Sequence, residues 1–328
     1  MFDLTKIQNV SVGVLGDLAL DIYWYADMKK SELSRETPHY PLPVVREVMS
    51  PGAGGNVVAN IAALRPGSIH VCGIGGDDWR GDLLKKKLSE LGADLSGWIT
   101  EEGRFTQAYC KPMRMGISDV IYEDPRLDFA ATDPISAASE AKVLRWLEEM
   151  DGKLDVLCVC DQFKNGIVTD AILNRLTEMR TPVLVDSRNR IGQYHVRGVL
   201  KPNELECRAA LTQLGLEIPE NEEEMARALS RETGAAVFLT LGEYGSLFVA
   251  SPEEEAVRTP VVPTEGPIDI CGAGDTSLSA FACCMAAGAD PAEAAQMAAL
   301  ASAVTIRKIA TTGTASPEEI KALAHTVR

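Results

Sequence analysis

The sequence predicts an α/β fold with a doubly wound, mainly parallel sheet, and three observations support this. Short apolar runs typical of buried strands alternate with longer segments of helical periodicity along most of the 328 residues. The apolar runs are nearly continuous, as expected for parallel strands that helices cover on both faces. Two stretches, residues 22–48 and 106–122, break the alternation with β-like patterns and predict a small β-rich lid.

The individual elements follow from the same patterns. Apolar runs predict strands at residues 10–15, 69–73, 156–160, 183–186 and 237–240. Helical periodicity predicts helices at residues 57–64, 81–91, 139–150 and 169–180. A further helix start is well marked, because Asp290 suits the N-cap, Pro291 the first turn and Glu293 the third position, while Gly288 should end the preceding helix. Since no repeat or low-complexity linker separates parts of the chain, we expect one domain over residues 1–328.

The composition excludes several classes of protein. The formal net charge of −15 argues against general binding to nucleic acid or to an anionic membrane. The sequence contains no apolar run of about 18 residues, so it does not indicate a membrane span. The first residues do not resemble a secretory signal. The eight cysteines form no C-x-x-C pair, so neither a zinc site nor a disulfide framework is indicated. We therefore expect a cytoplasmic protein.

The most informative segment, residues 269–275, reads Asp-Ile-Cys-Gly-Ala-Gly-Asp and leads into a predicted helix. A helix start offers free backbone N–H groups and the positive end of the helix dipole, and small residues let a phosphate approach closely. Asp275 beside such a cradle suits a base that removes a hydroxyl proton during phosphoryl transfer. The alternative is a glycine-rich helix entry with a surface carboxylate.

Four other clusters are candidates for ligand binding, which in such sheets occurs at the loops that follow the parallel strands. Asp21 could accept two sugar hydroxyls, or it could be a solvated loop acid. Residues 51–60 are rich in glycine and could approach a ligand, or form a turn before a helix. Asn203 and Glu206 could hold hydrated Mg²⁺ and phosphate. Residues 240–245, Thr-Leu-Gly-Glu-Tyr-Gly, could line a nucleotide or form a hairpin turn.

The order and spacing of these clusters resemble those of the ribokinase-like sugar kinases, the PfkB group. Within that group the sequence is most similar to the heptose-7-phosphate kinase domain of the ADP-heptose pathway, through residues 16–25, 41–45, 126–129 and 313–317. Because the sequence ends at Arg328, we expect it to lack the nucleotidyltransferase domain that is fused to some heptose kinases.

The resemblance implies a role for each motif residue. It makes Asp275 the catalytic base, with an anion hole formed by Gly272, Ala273 and Gly274. The sugar would be held by Asp21, Gly54, Gly55 and Asn56. ATP and Mg²⁺ would be served by Asn203 and Glu206, the metal through water, and the nucleotide would be lined by Thr240, Gly242 and Gly245. Asp269 would help form a monovalent-cation site, which implies potassium.

Three departures from the heptose-kinase pattern leave the acceptor open. Cys271 stands where a Thr is usual, Tyr109 lies near the place of an expected lysine, and residues 34–38 replace a Ser-Pro-Glu-Ala-Pro pattern. Lys164 and Arg188 are the better candidates for phosphate contacts, because each follows a predicted strand.

We therefore expect an ATP- and Mg²⁺-dependent kinase that phosphorylates a hydroxyl of a sugar or sugar phosphate. A nucleoside kinase of the same fold and a non-catalytic sugar-binding regulator are the alternatives. The lid has little core to cover, so we expect a homodimer that buries Tyr23, Tyr25 and Val44, the alternative being a monomer whose lid folds over its own substrate.

Overall fold

The computed structural model describes residues 2–309 and 312–326; residues 1, 310–311 and 327–328, including the predicted end of the domain, lie outside the described residues. Within them, nine strands form one sheet in the order β14-β13-β12-β11-β10-β9-β1-β4-β5. Numbered along the chain, these are β1 Ser11–Gly16, β4 Ser68–Gly76, β5 Asp94–Glu101, β9 Val156–Asp161, β10 Val183–Ser187, β11 Gly198–Leu200, β12 Ala236–Thr240, β13 Ser246–Val249 and β14 Val257–Thr259. Neighbours from β5 to β12 are parallel, and β13 and β14 add an antiparallel edge.

Helices cover both faces of this sheet. They are α1 Gly54–Leu64, α2 Trp79–Glu90, α3 Ala137–Met150, α4 Asp170–Thr177, α5 Glu204–Gln213, α6 Glu222–Thr233, α7 Ala273–Ala286, α8 Pro291–Thr305 and α9 Pro317–Thr326. Successive residues of β9 alternate between two apolar cores: Val156 and Cys158 pack with α1, α7 and α8, whereas Leu157 and Val159 pack with α3 to α6. The predicted doubly wound α/β class is thus confirmed.

Most predicted elements appear within a few residues of their expected bounds. The α8 start is as predicted, because the Asp290 side chain accepts from the Glu293 N–H at 2.8 Å. Gly288 follows α7 with a φ of +86°, a conformation that favours glycine. The helix predicted to end at residue 180 ends earlier, since the Arg180 N–H bonds to the Asp151 carboxylate at 2.9 Å instead of a helix carbonyl.

The lid is a second sheet of strands β2 Leu18–Asp27, β3 Val44–Ala53, β6 Ala108–Met115, β7 Tyr122–Glu123 and β8 Leu127–Phe129. Its order is β3-β2-β6-β7, with β8 also paired to β6. The lid is confirmed but wider than the predicted segments, because β2 and β3 stay paired down to Leu18 and Ala53, where they join the body. No helix among the described residues is long and apolar enough to cross a membrane.

The lid surface differs from the predicted interface in one respect. Tyr23 and Tyr25 are only 5% and 3% exposed within a single protomer, since Lys111 lies over the Tyr23 ring and Arg46 lies over the Tyr25 ring. The expectation that these tyrosines form an intersubunit surface is therefore wrong. The exposed apolar side chains of the lid instead include Val44, Val45, Val48, Ile117, Val120, Ile121, Tyr122 and Leu127.

Candidate active site

The start of α7 lies where the lid meets the rest of the domain, since Asn56 of α1 bonds to Asp275 and the charge of Asp21 on β2 raises the pKa of Asp275; we call the space between these groups the cleft. Gly272 precedes the helix with a φ of +81°, and a Cβ at this position would lie 2.7 Å from Asn56 Nδ2. Only glycine meets both demands without strain. The tight turn brings Asp275 into the first turn of α7, as the sequence predicted.

The helix start provides unpaired donors for an anion. The N–H groups of Gly274 and Asp275 have no hydrogen-bond acceptor among residues 2–309 and 312–326. The Ala273 N–H, however, bonds to the Ile270 carbonyl at 3.2 Å, so this predicted member of the anion hole is already engaged. Unpaired amides at the positive end of a helix dipole form an anion-binding site.

Asp275 has the properties of a general base. Its Oδ2 accepts a 2.7 Å hydrogen bond from Asn56 Nδ2. Burial raises the pKa of Asp275 to about 7; the Asn56 hydrogen bond lowers it, and the nearby Asp186 carboxylate raises it further. A base with a pKa near the working pH combines the correct protonation state with useful proton affinity.

A chain of buried amides holds Asn56 in place. Asn60 Nδ2 donates to the Asn56 carbonyl at 2.9 Å and to Asn56 Oδ1 at 3.2 Å. Thr276 Oγ1 in turn donates to Asn60 Oδ1 at 2.9 Å. Asn56, predicted to hold the sugar, thus bonds directly to Asp275, and Asn60 and Thr276, which lie within or beside the motifs but were given no role of their own, hold Asn56 in turn.

Asp21 is available to a ligand. Asp21 is 4% exposed, and among the described residues no group forms a hydrogen bond or an ion pair with its carboxylate. The carboxylate packs on Gly52, where a Cβ would lie 2.8 Å from Asp21 Cγ. Burial raises the pKa of Asp21, and its charge raises the pKa of Asp275, so the two carboxylates share the cleft.

The glycines before α1 have a packing role. The Gly54 N–H bonds to the Asp17 carbonyl at 2.8 Å, and a Cβ on Gly54 would lie 2.8 Å from that same oxygen. A Cβ on Gly55 would lie 2.9 Å from Pro51 Cβ. These contacts account for both glycines by close approach of the backbone to neighbouring parts of the chain.

Lys111 is a cleft residue that the sequence analysis missed. It lies two residues beyond Tyr109 on β6 and therefore on the same face of the strand, where it pairs with Tyr23 of β2. Its Nζ donates to the Tyr23 hydroxyl at 2.9 Å. Burial lowers the pKa of Lys111, but the Asp21 charge raises it above its usual value overall. The alternation of the strand was the signal that could have identified this lysine.

Further cations line the same side of the cleft. The Arg126 guanidinium lies 4.2 Å from the centre of the Tyr109 ring and pairs with Asp128 at 2.6 Å. Burial raises the pKa of both Tyr109 and Glu206, and the nearby charge of Arg188 opposes this rise in each case. Of the two predicted phosphate contacts, Arg188 therefore lies near the site, whereas Lys164 is exposed on a loop.

The Asn-x-x-Glu motif forms a capping box at the start of α5. Asn203 Oδ1 accepts from the Glu206 N–H at 2.9 Å, and Glu206 Oε2 accepts from the Asn203 N–H at 2.8 Å. These bonds use one side-chain oxygen of each residue. Burial and the Asp186 charge raise the pKa of Glu206. No group of three or more acidic, His or Cys residues in the described part of the chain could hold a metal alone.

The predicted nucleotide motif forms the hairpin turn between β12 and β13. Gly242 and Gly245 have φ values of +58° and +87°. A Cβ on Gly245 would meet the Thr259 carbonyl, which lies at the end of β14. Thr259 lines a groove of about 530 Å³ with Val261, Val262, Gln296 and Ala299. Thr240 bridges to Asn203, which connects this turn to the start of α5.

Two other residues near the α7 turn bear on the site. Asp269 Oδ1 accepts from the Cys271 N–H at 3.0 Å, and the Asp269 N–H bonds to the Ile306 carbonyl at 2.7 Å. Burial raises the pKa of the Cys271 thiol, and the Lys111 charge lowers it, so this residue lies between the lid and the helix start. The unusual Cys271 therefore lies near Lys111 and Asp21, on the lid side of the cleft.

Known proteins with similar sequences and folds agree with this arrangement. The profile of a family described as pfkB family carbohydrate kinase matches residues 46–319. The bifunctional protein HldE of Citrifermentans bemidjiense is 35% identical over 97% of the chain, and that of Geotalea uraniireducens is 31% identical over 96%. The chain spans 64% and 63% of the lengths of these relatives.

The solved structures establish the fold. Phosphofructokinase-2 from Escherichia coli, in complex with substrates and products, superposes with a TM-score of 0.75 at 18% identity, covering 97% of this chain and 99% of that one. Ribokinase from Thermotoga maritima gives a TM-score of 0.71 at 20% identity, covering 96% and 99%. These likenesses confirm the predicted ribokinase-like fold. With the family profile covering most of its length, the chain belongs to the pfkB family of carbohydrate kinases.

Proposed function

We propose that the protein transfers the γ-phosphoryl group of ATP to a hydroxyl of a sugar or sugar phosphate, with Asp275 as general base. The observation that carries this proposal is the position of Asp275, whose burial raises its pKa to about 7, beside the unpaired amides of the α7 start. Asp275 takes the acceptor proton while the Gly274 and Asp275 amides stabilise charge on the transferring group. Asn56 orients the base.

The nucleotide would lie across α5, the β12–β13 turn and the groove. Gly245 brings the turn against Thr259 of the groove, and Ser302, which follows the groove residues Gln296 and Ala299 along α8, donates to the Ala273 carbonyl at 3.3 Å. These contacts support placing the nucleotide base on the side of the turn and the phosphates at the α7 start. The chemistry of Mg²⁺, when bound, is to neutralise phosphate oxygens, and the second Glu206 oxygen suits a water of its shell.

The acceptor side supports a phosphorylated sugar. Asp21 suits two sugar hydroxyls, while Lys111 and Arg126 lie on the same side and suit an anionic group. The similarity to proteins named HldE, together with the resemblance to heptose-7-phosphate kinases, favours a sugar phosphate over a neutral sugar. The nucleoside alternative lacks such support, because a nucleoside offers no anion to these cations.

A release assay tests this proposal. ADP formation is measured with Mg²⁺-ATP and neutral sugars, sugar phosphates or nucleosides. We expect acceptor-dependent ADP release, highest with a sugar phosphate, and Lys111→Met should raise the KM of that acceptor more than that of ATP. Turnover with nucleosides alone, or ADP release independent of any acceptor, would contradict the proposal.

Repeating the assay with K⁺ replaced by a bulky organic cation tests the proposed role of Asp269 at a monovalent-cation site.

Asp21→Ala is expected to weaken acceptor binding by about 10-fold or more and to leave ATP affinity nearly unchanged, since a hydrogen bond to a charged group is lost on the acceptor side only. Titration calorimetry with each ligand measures both affinities. The matched control is Asp119→Ala, an exposed acid of the lid, which should alter neither. A fall in ATP affinity with the acceptor unaffected would mean that the two halves of the site are reversed.

We also propose a homodimer through the lid, formed by its exposed valines and the isoleucines after β6. A small sheet with apolar residues in solvent is stabilised when a second copy covers them. Val44→Asp should halve the mass found by light scattering at micromolar concentration, because the charge opposes burial. Leu205→Asp, at an exposed apolar residue of α5, is the control and should leave the mass unchanged. A monomeric wild type with full activity would exclude the dimer.

A further inference from the structure

A second buried charge lies beside the anion site. Lys201 follows β11 and is 3% exposed as a residue, and its Nζ donates to Asp186 Oδ2 at 2.8 Å. Although burial lowers the pKa of Lys201, the Asp186 carboxylate raises it above its usual value overall, so the ammonium stays charged at neutral pH. The sequence analysis assigned this lysine no role.

The ammonium adjoins the first turn of α7. A Cβ on Gly274 would lie 3.7 Å from Lys201 Nζ, and among the described residues outside the adjoining turns of α7 no other atom would lie within 4 Å of it. The charges of Glu206 and Asp275 both raise the pKa of Lys201, so these groups are near as well. Among the described residues Asp186 is the hydrogen-bond partner of this ammonium, which leaves further N–H donors for a ligand.

Asp186 is itself held in place. Its Oδ1 accepts from Gln162 Nε2 at 3.1 Å, while Oδ2 receives Lys201. A lysine that served only to balance this carboxylate could lie anywhere around it. Instead the pair joins the end of β10 to the end of β11 and aims the ammonium at Gly274. The cation therefore lies where an anion bound to the α7 amides would contact it.

We propose that Lys201 is a catalytic residue that donates to the transferring phosphoryl group, with Asp186 as its positioning residue. The inference rests on the proposed kinase activity. In the step, the acceptor oxygen forms a bond to the γ-phosphorus and its proton passes to Asp275. The bond from that phosphorus to the β–γ bridging oxygen breaks, and its electron pair leaves with ADP. The ammonium offsets negative charge on a non-bridging oxygen throughout.

A rival role for Lys201 is to neutralise Asp186 and so to set the pKa of Asp275. Lys201→Met alone cannot separate the two roles, because it leaves Asp186 unpaired and raises the pKa of the base. The double variant Lys201→Met with Asp186→Asn removes both charges together. It restores the electrostatic balance around Asp275 but lacks the ammonium, so its behaviour distinguishes contact from neutralisation.

The test measures kcat at pH 8.5, above the pKa of Asp275, and the affinities for Mg²⁺-ATP and Mg²⁺-ADP by calorimetry. We expect the double variant to turn over about 100-fold or more slowly than the wild type, the scale for a lost transition-state donor. Its preference for ATP over ADP should fall about 10-fold, since the contact involves the γ-phosphoryl group.

A double variant within about threefold of wild-type kcat at pH 8.5, or an unchanged ATP preference, would overturn the role of Lys201. The double variant carries the test alone if Lys201→Met does not fold, because no unpaired buried charge remains in it. A wild type that binds no nucleotide would contradict the proposed kinase function itself, so the two failures are distinguishable.

Discussion

Asp275→Asn is expected to lower turnover by roughly 100-fold or more, because an amide cannot take the acceptor proton. The variant should still bind ATP, since the amides of the α7 start and the residues of the groove are unchanged. Steady-state ADP release with saturating ATP and acceptor measures the loss. The matched control is Asp82→Asn, which changes an aspartate in the first turn of α2, and which should keep normal turnover.

The same variant should be more stable than the wild type at pH 8. Since the folded pKa of Asp275 is raised to about 7, the neutral carboxyl stabilises the fold at low pH, and this contribution is lost as the pH rises through about 7. Asn is neutral at every pH, so Asp275→Asn should melt at a higher temperature than the wild type at pH 8. This difference in melting temperature should vanish toward pH 4. Normal turnover at pH 8 would contradict the assignment of the base.

Asp17→Ala is expected to destabilise the fold by about 3 kcal/mol or more, since each buried donor left unpaired costs roughly 1–3 kcal/mol. The buried Asp17 carboxylate accepts from the N–H groups of Gln162, Phe163 and Ile167 at 2.8, 2.7 and 2.7 Å. These bonds hold the loop after β9 against the loop after β1. Denaturant unfolding followed by circular dichroism measures the difference.

Asp290→Ala removes one exposed capping bond, to the Glu293 N–H, and should cost only about 1 kcal/mol. If Asp17→Ala cost no more than Asp290→Ala, the three buried bonds would not hold the loop as described. The contrast depends on burial, because solvent can replace the lost acceptor at Asp290 but not at Asp17.

The sequence predicted the fold class and the centre of the site because both depend on local patterns. Nearly continuous apolar runs identified the buried strands, and the Gly-Ala-Gly-Asp segment identified the helix start that carries Asp275. Short strands such as β11, inside the sheet, and β14, at its edge, are three residues each and have too little pattern to be predicted. They form because a neighbouring strand already offers its backbone groups.

Contacts between distant segments could not be read from the sequence. The Asn56 bond to Asp275 joins residues 219 positions apart, and the Lys111 bond to Tyr23 spans 88. Such pairs depend on strand order and register, which single motifs do not specify. Conversely, Gly54 and Glu206 lie in motifs that the resemblance linked to ligand binding, but each also has a structural role. Gly54 allows close packing of the backbone, and Glu206 forms a capping box.

The most direct test of Asp275 as the base is the pH dependence of kcat/KM for the acceptor. With burial raising the pKa of Asp275 to about 7, kcat/KM should be constant above about pH 8 and should fall about 10-fold per unit well below pH 7. Asn56→Ala removes a bond that lowers this pKa, so the fall should begin at higher pH. A wild-type profile that stays flat from pH 8 down to pH 5 would contradict the central claim.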